Sequence, residues 1–157
     1  MANGLQRGFT LIELLVVFAI MGTLTVTGVM SFFSYSNSQS FQSAVSDVSH
    51  ALTTIRARAI SQVKPSVCGS SAIEGYEFWY PVPGTYYRIS VRCSGTYHVL
   101  SRTNLPNNVT FAVGSTTNAT FFNNSTGIVP YSTTMIITGY GKSNTITVDS
   151  TGVVSVQ

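Results

Sequence analysis

The feature that most constrains this chain is an apolar run from Phe9 to Phe33 that carries a single charged residue, Glu13, and follows a short polar leader ending in Arg7 and Gly8. A helix needs roughly 20 apolar residues to cross a bilayer, and this run is long enough. A cleaved secretory signal would need a shorter apolar stretch of about 7–15 residues and then a small-residue cleavage site, which fits poorly. Arg7 precedes the run, and no Lys or Arg follows until Arg56. The positive-inside rule therefore keeps the leader cytoplasmic and exports everything beyond Phe33, a single-pass topology in the cytoplasmic (inner) membrane.

Glu13 needs a reason to sit in such a run, because an ionised group within the membrane costs about 2.5–3.5 kcal/mol on insertion scales. Two readings are open. Either it stays hydrated near the cytoplasmic interface, or it awaits a cation from another chain. The segment from Gln6 to Val17, Gln-Arg-Gly-Phe-Thr-Leu-Ile-Glu-Leu-Leu-Val-Val, resembles the processing signal of type IV prepilins and pseudopilins. The resemblance implies cleavage by a prepilin peptidase between Gly8 and Phe9 and methylation of the new amine on Phe9. It also implies that Glu13 pairs with the N-terminal amine of a neighbouring subunit during assembly on an inner-membrane platform. A carboxylate and an ammonium sharing an apolar bundle offset each other's desolvation, so such a contact favours one register.

Beyond the membrane run, Phe41, Val45, Val48, Leu52, Ile55 and Ala59 recur at steps of three and four, one stripe of an amphipathic helix. Ser43, Asp47, His50, Thr54 and Arg58 fall on the other side. No Pro interrupts Phe9 to Lys64, and Pro65 is the expected stop because it pushes Lys64 out of the helical region. A helix of that length would extend about 80 Å at 1.5 Å per residue. Strand rhythm follows. Tyr87, Ile89, Val91 and Cys93 alternate with Arg88, Ser90 and Arg92, and Ser94-Gly95 turns the chain into Thr96 to Ser101. Shorter runs at Val109 to Val113, Ala119 to Phe122, Thr134 to Thr138, Thr145 to Val148 and Val153 to Val156 are separated by turn residues.

The expected fold is α+β: a long N-terminal helix whose second half packs on one face of an antiparallel β-sheet, the pilin fold. Residues 1–8 form the cleaved leader and 9–33 the membrane-spanning and filament-core half of the helix. Residues 34–64 form its amphipathic half, and 65–157 the β-rich domain. Cys68 and Cys93 both lie in the exported part, where oxidation is allowed; a disulfide is the first reading and two buried thiols the other.

Val45 to Gly69, and the ending from Ile146 to Val154, resemble GspH/FimT-type minor pilins. Some members of that subfamily bind DNA for uptake, with a basic tail beginning Gly-Arg. Here Gly152 is followed by Val153 and Val154, so DNA binding is not favoured. The residues left for it are Arg88, Arg92, Arg102 and Lys142, with Trp79 and Tyr86 nearby in sequence, and solvated surface is the default reading. Only 8% of residues are charged and the formal charge is +3, which implies no strong nucleic-acid field.

Enzymatic readings are weak. Gly139 to Ser143 ends like a phosphate loop but lies between strand runs, with no helix to receive phosphate, and reads as a hairpin turn. Asp47 and His50 share a helix face, yet two ligands leave a zinc site unfinished. Cys68 with His98 has no supporting context for a nucleophile and base, and Glu74 with Glu77 reads as surface. Four Asn-x-Ser/Thr triplets, at Asn108, Asn118, Asn123 and Asn124, are expected by chance in a chain this rich in those residues. No cofactor or metal is expected. The function implied is a structural subunit, minor pilin or pseudopilin, of a type IV pilus (fimbrium) or type II protein secretion pseudopilus. Its partners would be the peptidase, other pilins, the assembly platform and, before assembly, lipid. The alternatives are a DNA-binding minor pilin, or a major or adhesive filament subunit.

Overall fold

The computed structural model describes residues 9–116, 119–123 and 131–157, with backbone alone at 26, 27, 119, 121 and 123. The chain divides into two units, Met1–Ser38 and Gln39–Gln157. One helix, α1, runs from Leu11 to Ile60 and so contributes to both.

Thr10 starts the helix: its Oγ1 accepts the Glu13 amide at 3.3 Å, satisfying one of the orphan donors of the first turn. The spacing Thr-x-x-Glu is that of a capping box. The other end differs from the expected stop at Pro65. Gln62 adopts a left-handed φ of 51°, and the Gln62 and Val63 amides donate to the carbonyls of Ala59 and Arg58 at 3.1 Å each. This Schellman closure ends α1 at Ile60 before the proline is reached.

Within the second unit the predicted stripe is buried: Phe41, Val48, Leu52, Ile55 and Ala59 are fully enclosed and Val45 nearly so. Ala44 and Ala51 widen it. The chain beyond the helix forms eight strands among the described residues: β1 (Ile73–Trp79), β2 (Tyr86–Cys93), β3 (Thr96–Asn104), β4 (Val109–Phe111), β5 (Ala119–Asn123), β6 (Thr133–Gly139), β7 (Lys142–Val148) and β8 (Val154–Val156). They form two antiparallel four-stranded sheets, ordered β3-β2-β1-β5 and β4-β6-β7-β8, in place of the single sheet expected. The split is set by non-local pairing, with β1 accepting β5 on its far edge and β4 pairing with β6. A bridge between Gly84, in the β1–β2 connection of the first sheet, and Phe111 of β4 links the two sheets.

The core is shared. Tyr76, Phe78 and Val91 from the first sheet and Phe111, Met135, Ile137 and Ile146 from the second meet the helix stripe. Rings order its centre: Phe78 stacks on Tyr87 at 4.9 Å and Tyr80 lies against Phe111 at 4.4 Å. Burial raises the Tyr80 phenol well above its ordinary range, with the Ser115 hydroxyl opposing, so it stays neutral in the core.

The hairpins follow from their turn residues. Ser94 and Gly95, and Tyr140 and Gly141, all have positive φ, the primed turn geometry that matches strand twist. Gly139 is required for a second reason: a Cβ there would lie 2.7 Å from the Asn108 carbonyl oxygen. Gly139 to Ser143 is thus a β6–β7 hairpin.

Candidate functional site

Among the described residues the first unit has no buried side chain. Phe9 and Leu11 are each 83% exposed, and no part of the most apolar stretch of α1 is buried. Moving each such side chain out of water is worth about 1.5–3 kcal/mol, so this surface demands an apolar environment. By length and composition α1 can cross a membrane.

Glu13 sits in the first turn on a strip formed with Phe9, Leu14, Val17, Phe18 and Met21. Its carboxyl is thus flanked by apolar groups one turn away in each direction. Phe9 and Thr10 are described and exposed, immediately before the helix. Gly8 lies outside the described residues, as do Asn118 and Asn124.

The second unit carries the remaining candidates. Cys68, in a short 3-10 turn from Ser66 to Cys68, is joined to Cys93 at the end of β2, with Cα atoms 5.7 Å apart. The bond leaves no Cys68 thiol to act with His98 as a nucleophile. Asp47 and His50 are both exposed on α1; among the described residues no group of three ligating side chains comes together.

The four basic residues singled out in the sequence are not one cluster. Lys142 begins β7 in the second sheet, whereas Arg88, Arg92 and Arg102 lie on β2 and β3 of the first. Cross-strand registry aligns Trp79, Arg88 and Arg102 in a row, on the face opposite the buried Phe78 and Tyr87. The Arg88 guanidinium lies 4.2 Å from the Trp79 ring centre and that of Arg102 lies 3.7 Å from Tyr86, and the two rings are 6.0 Å apart.

Arg92 is occupied differently. Its Nε meets Glu74 Oε2 at 2.8 Å, the one ion pair among the described residues. Glu74 is the extra residue where β1 slips against β2 between Ile73 and Gly75, and a bulge of this kind re-aims its side chain. Its Oε1 also accepts the Gly95 amide at 2.6 Å, tying down the β2–β3 turn. Glu77 faces the same side; burial raises its carboxyl above the usual range, with Arg88 pulling the other way.

A further contact was not visible in the sequence. Asp149 closes the β7–β8 turn by accepting the Thr151 amide and hydroxyl and the Val153 amide at 2.6–2.9 Å. These bonds, led by the Thr151 hydroxyl, hold its carboxyl below its ordinary range. Arg56 of α1 donates to the Thr151 carbonyl at 3.1 Å, fastening this turn to the helix.

Residues 4–29 match the family model described as the prokaryotic N-terminal methylation motif. No curated protein and no solved structure matches the chain. The motif, with the exposed apolar helix behind it, supports a type IV pilin or pseudopilin that a prepilin peptidase processes and that assembles with other pilins. It points to a structural subunit in place of an enzyme, and it fits anchoring in the inner membrane before assembly.

Proposed function

We propose that this protein is a minor subunit of a type IV pilus or type II secretion pseudopilus. It is cut between Gly8 and Phe9, methylated on Phe9, and drawn from the membrane into a filament through the apolar half of α1. The observation that carries the reading is the methylation motif over residues 4–29, which overlaps the first half of α1, where the described apolar side chains up to Phe33 are exposed. On this reading residues 9–33 are a temporary anchor and then filament core, and the part beyond Phe33 is carried to the periplasmic or extracellular side.

Glu13 supports the assembly step. Its position one turn into the helix brings it near the new N-terminus of an adjoining subunit, where an unpaired carboxylate and an unpaired ammonium are each costly in an apolar bundle. The minor role rests on the likeness of the Val45 to Gly69 and Ile146 to Val154 segments to GspH/FimT-type pilins.

The test combines two variants. Gly8→Leu is expected to block cleavage completely, seen as an unshifted band beside the processed wild type. Glu13→Ala is expected to be cleaved and membrane-inserted yet nearly absent from sheared filaments. Normal incorporation of Glu13→Ala would sink the pairing role, and abundant normal filaments and secretion after gene deletion would sink the minor-subunit role.

A further inference from the structure

β8 forms one edge of the second sheet, and its outer side is open. Thr145 and Gln157 exchange both amide hydrogen bonds, at 2.8 and 2.9 Å. Antiparallel pairs alternate between bonded and non-bonded positions, so Val156, opposite Ile146, and Val154, opposite Val148, turn their N–H and C=O groups away from β7. No strand lies on that side among the described residues, and β8 carries neither the charge nor the proline that commonly guards an edge. Between this strand and α1 there is a groove of about 440 Å³, whose lining includes Gln42, Ser46, Ser49, His50, Thr53 and Val156. Val156 shares a face with the buried Ile146 yet is 43% exposed. The flank of α1 thus borders space that one further strand would fill.

The first sheet has the converse feature. β3 is the longest described strand and the edge of its sheet. Registry with Tyr87, Ile89, Val91 and Cys93 places Thr103, Ser101, His98 and Thr96 on the core-facing side. Those four β2 residues are buried or half-buried, whereas Thr96, Ser101 and Thr103 are exposed and His98 is half-buried. β3 therefore extends beyond the cover that its neighbour β2 receives.

The two features answer each other. The groove is lined by hydroxyls, an amide and an imidazole, with no carboxylate, ammonium or guanidinium, so it suits small uncharged side chains; a charge enclosed there would go unpaired. β3 supplies a hydroxyl or an imidazole at each of those four core-facing positions, and Ser and Thr pairs across strands are favourable. Its one arginine, Arg102, is on the opposite face, against Tyr86. Matching the core-facing sides also puts the buried stripes of both α1 helices on one side of the joint sheet. Within one chain β3 and β8 are edges of different sheets, so the contact takes a second copy.

We propose that β3 of one copy enters the groove between α1 and β8 of a second copy, extending that copy's second sheet by one strand. The contact is head-to-tail: two copies joined this way leave one groove and one β3 unused, ready for a further copy. It lets a few copies stand side by side and does not require the protein to be the bulk subunit. The inference rests on the proposed reading only in bringing exported copies together; the contact itself needs neither cleavage nor the Glu13 pairing.

Both native cysteines are in the disulfide, so introduced thiols report the contact. Full-length Ser49→Cys and Ser101→Cys chains with different tags would be mixed in detergent micelles and treated with a short bismaleimide. A mixed dimer is expected, in clear excess over the dimers that either variant forms alone. Adding Val156→Pro to the Ser49→Cys chain removes an N–H that faces the groove and not the β7 ladder. It should keep the circular dichroism and thermal midpoint of the parent chain while lowering the mixed yield at least about threefold, through loss of one backbone hydrogen bond. Thr103→Lys in the Ser101→Cys chain carries a charge into the groove and should abolish the product. Absence of the mixed dimer, an equal yield from two Ser49→Cys copies, or full yield with Val156→Pro or Thr103→Lys would overturn the proposal. The same crosslink is expected in Gly8→Leu and Glu13→Ala backgrounds. Its failure therefore leaves the filament reading standing, and failure of that reading leaves the crosslink.

Discussion

The two halves of α1 use one secondary structure for opposite ends. Before Ser38 the large apolar side chains stand out on every side, with Leu11, Leu14, Phe18 and Phe32 all exposed; after Gln39 they narrow to a stripe that is buried with the sheets. Helix propensity does not distinguish these halves. What does is whether polar residues return often enough to define a face, and they become frequent from Ser34 onward, with Asn37, Gln39 and Asp47. A helix apolar all round must find its partners outside the chain, whereas one with a stripe finds them within it.

The sharpest way to break the comparison is to shorten one leucine in each half. Leu52→Ala should destabilise the second unit by about 2–5 kcal/mol, because Leu52 is fully enclosed and leaves a cavity. Leu14→Ala, at a residue 53% exposed, should leave the urea midpoint of the micelle-bound chain unchanged. Equal shifts, followed through Trp79 fluorescence, would mean that the first half has a fold-stabilising role within the chain.

Next in size is Cys93→Ala. The bridge spans a separation of 25 residues, and loss of that closure is expected to cost about 3 kcal/mol in the chain-entropy model. Membrane insertion should be untouched, as judged by carbonate extraction. A smaller change is expected at the helix end. Gln62→Gly removes a non-glycine residue from φ 51° and should stabilise by about 0.5–1 kcal/mol, after allowance for the freer unfolded chain.

The last prediction concerns acid. The folded Asp149 carboxyl is held below its ordinary value, so its contribution is present above the unfolded value near 3.8 and is lost as pH falls through the lower folded one. Asp149→Asn should flatten the acid limb of a stability-against-pH curve below about pH 4. An unchanged limb would assign acid sensitivity to another group.

Much of this architecture was legible because it is written in local periods. The stripe from Phe41 to Ala59, the alternation in β2 and the Ser94-Gly95 turn each specify an element within a few residues. β1 was overlooked, although Tyr76, Phe78 and Tyr80 alternate with Glu77 and Trp79; two glutamates and Gly75 made the segment read as surface. The division into two sheets was out of reach for a different reason, since it depends on β1 meeting β5 and β4 meeting β6 across long loops. The same holds for Arg56 and Thr151, which meet from 95 residues apart. The methylation motif was readable because its residues are contiguous. The pairing of Arg88 and Arg102 was not, because registry between strands, and the slip at Ile89 to Ser90, decide which cations become neighbours.

The Cys68–Cys93 bond has a mechanical consequence. A pull along α1 leaves the helix at Ile60 and reaches Cys68 eight residues on, where the Tyr76 hydroxyl already holds the Val63 carbonyl beside the path. From Cys68 tension crosses directly to Cys93, so the chain between them, with β1 and nearly all of β2, lies in a closed loop that carries no load. β1 and β2, which bear Trp79, Tyr86 and Arg88, would keep their mutual registry while the backbone on either side, β3 included, is stretched.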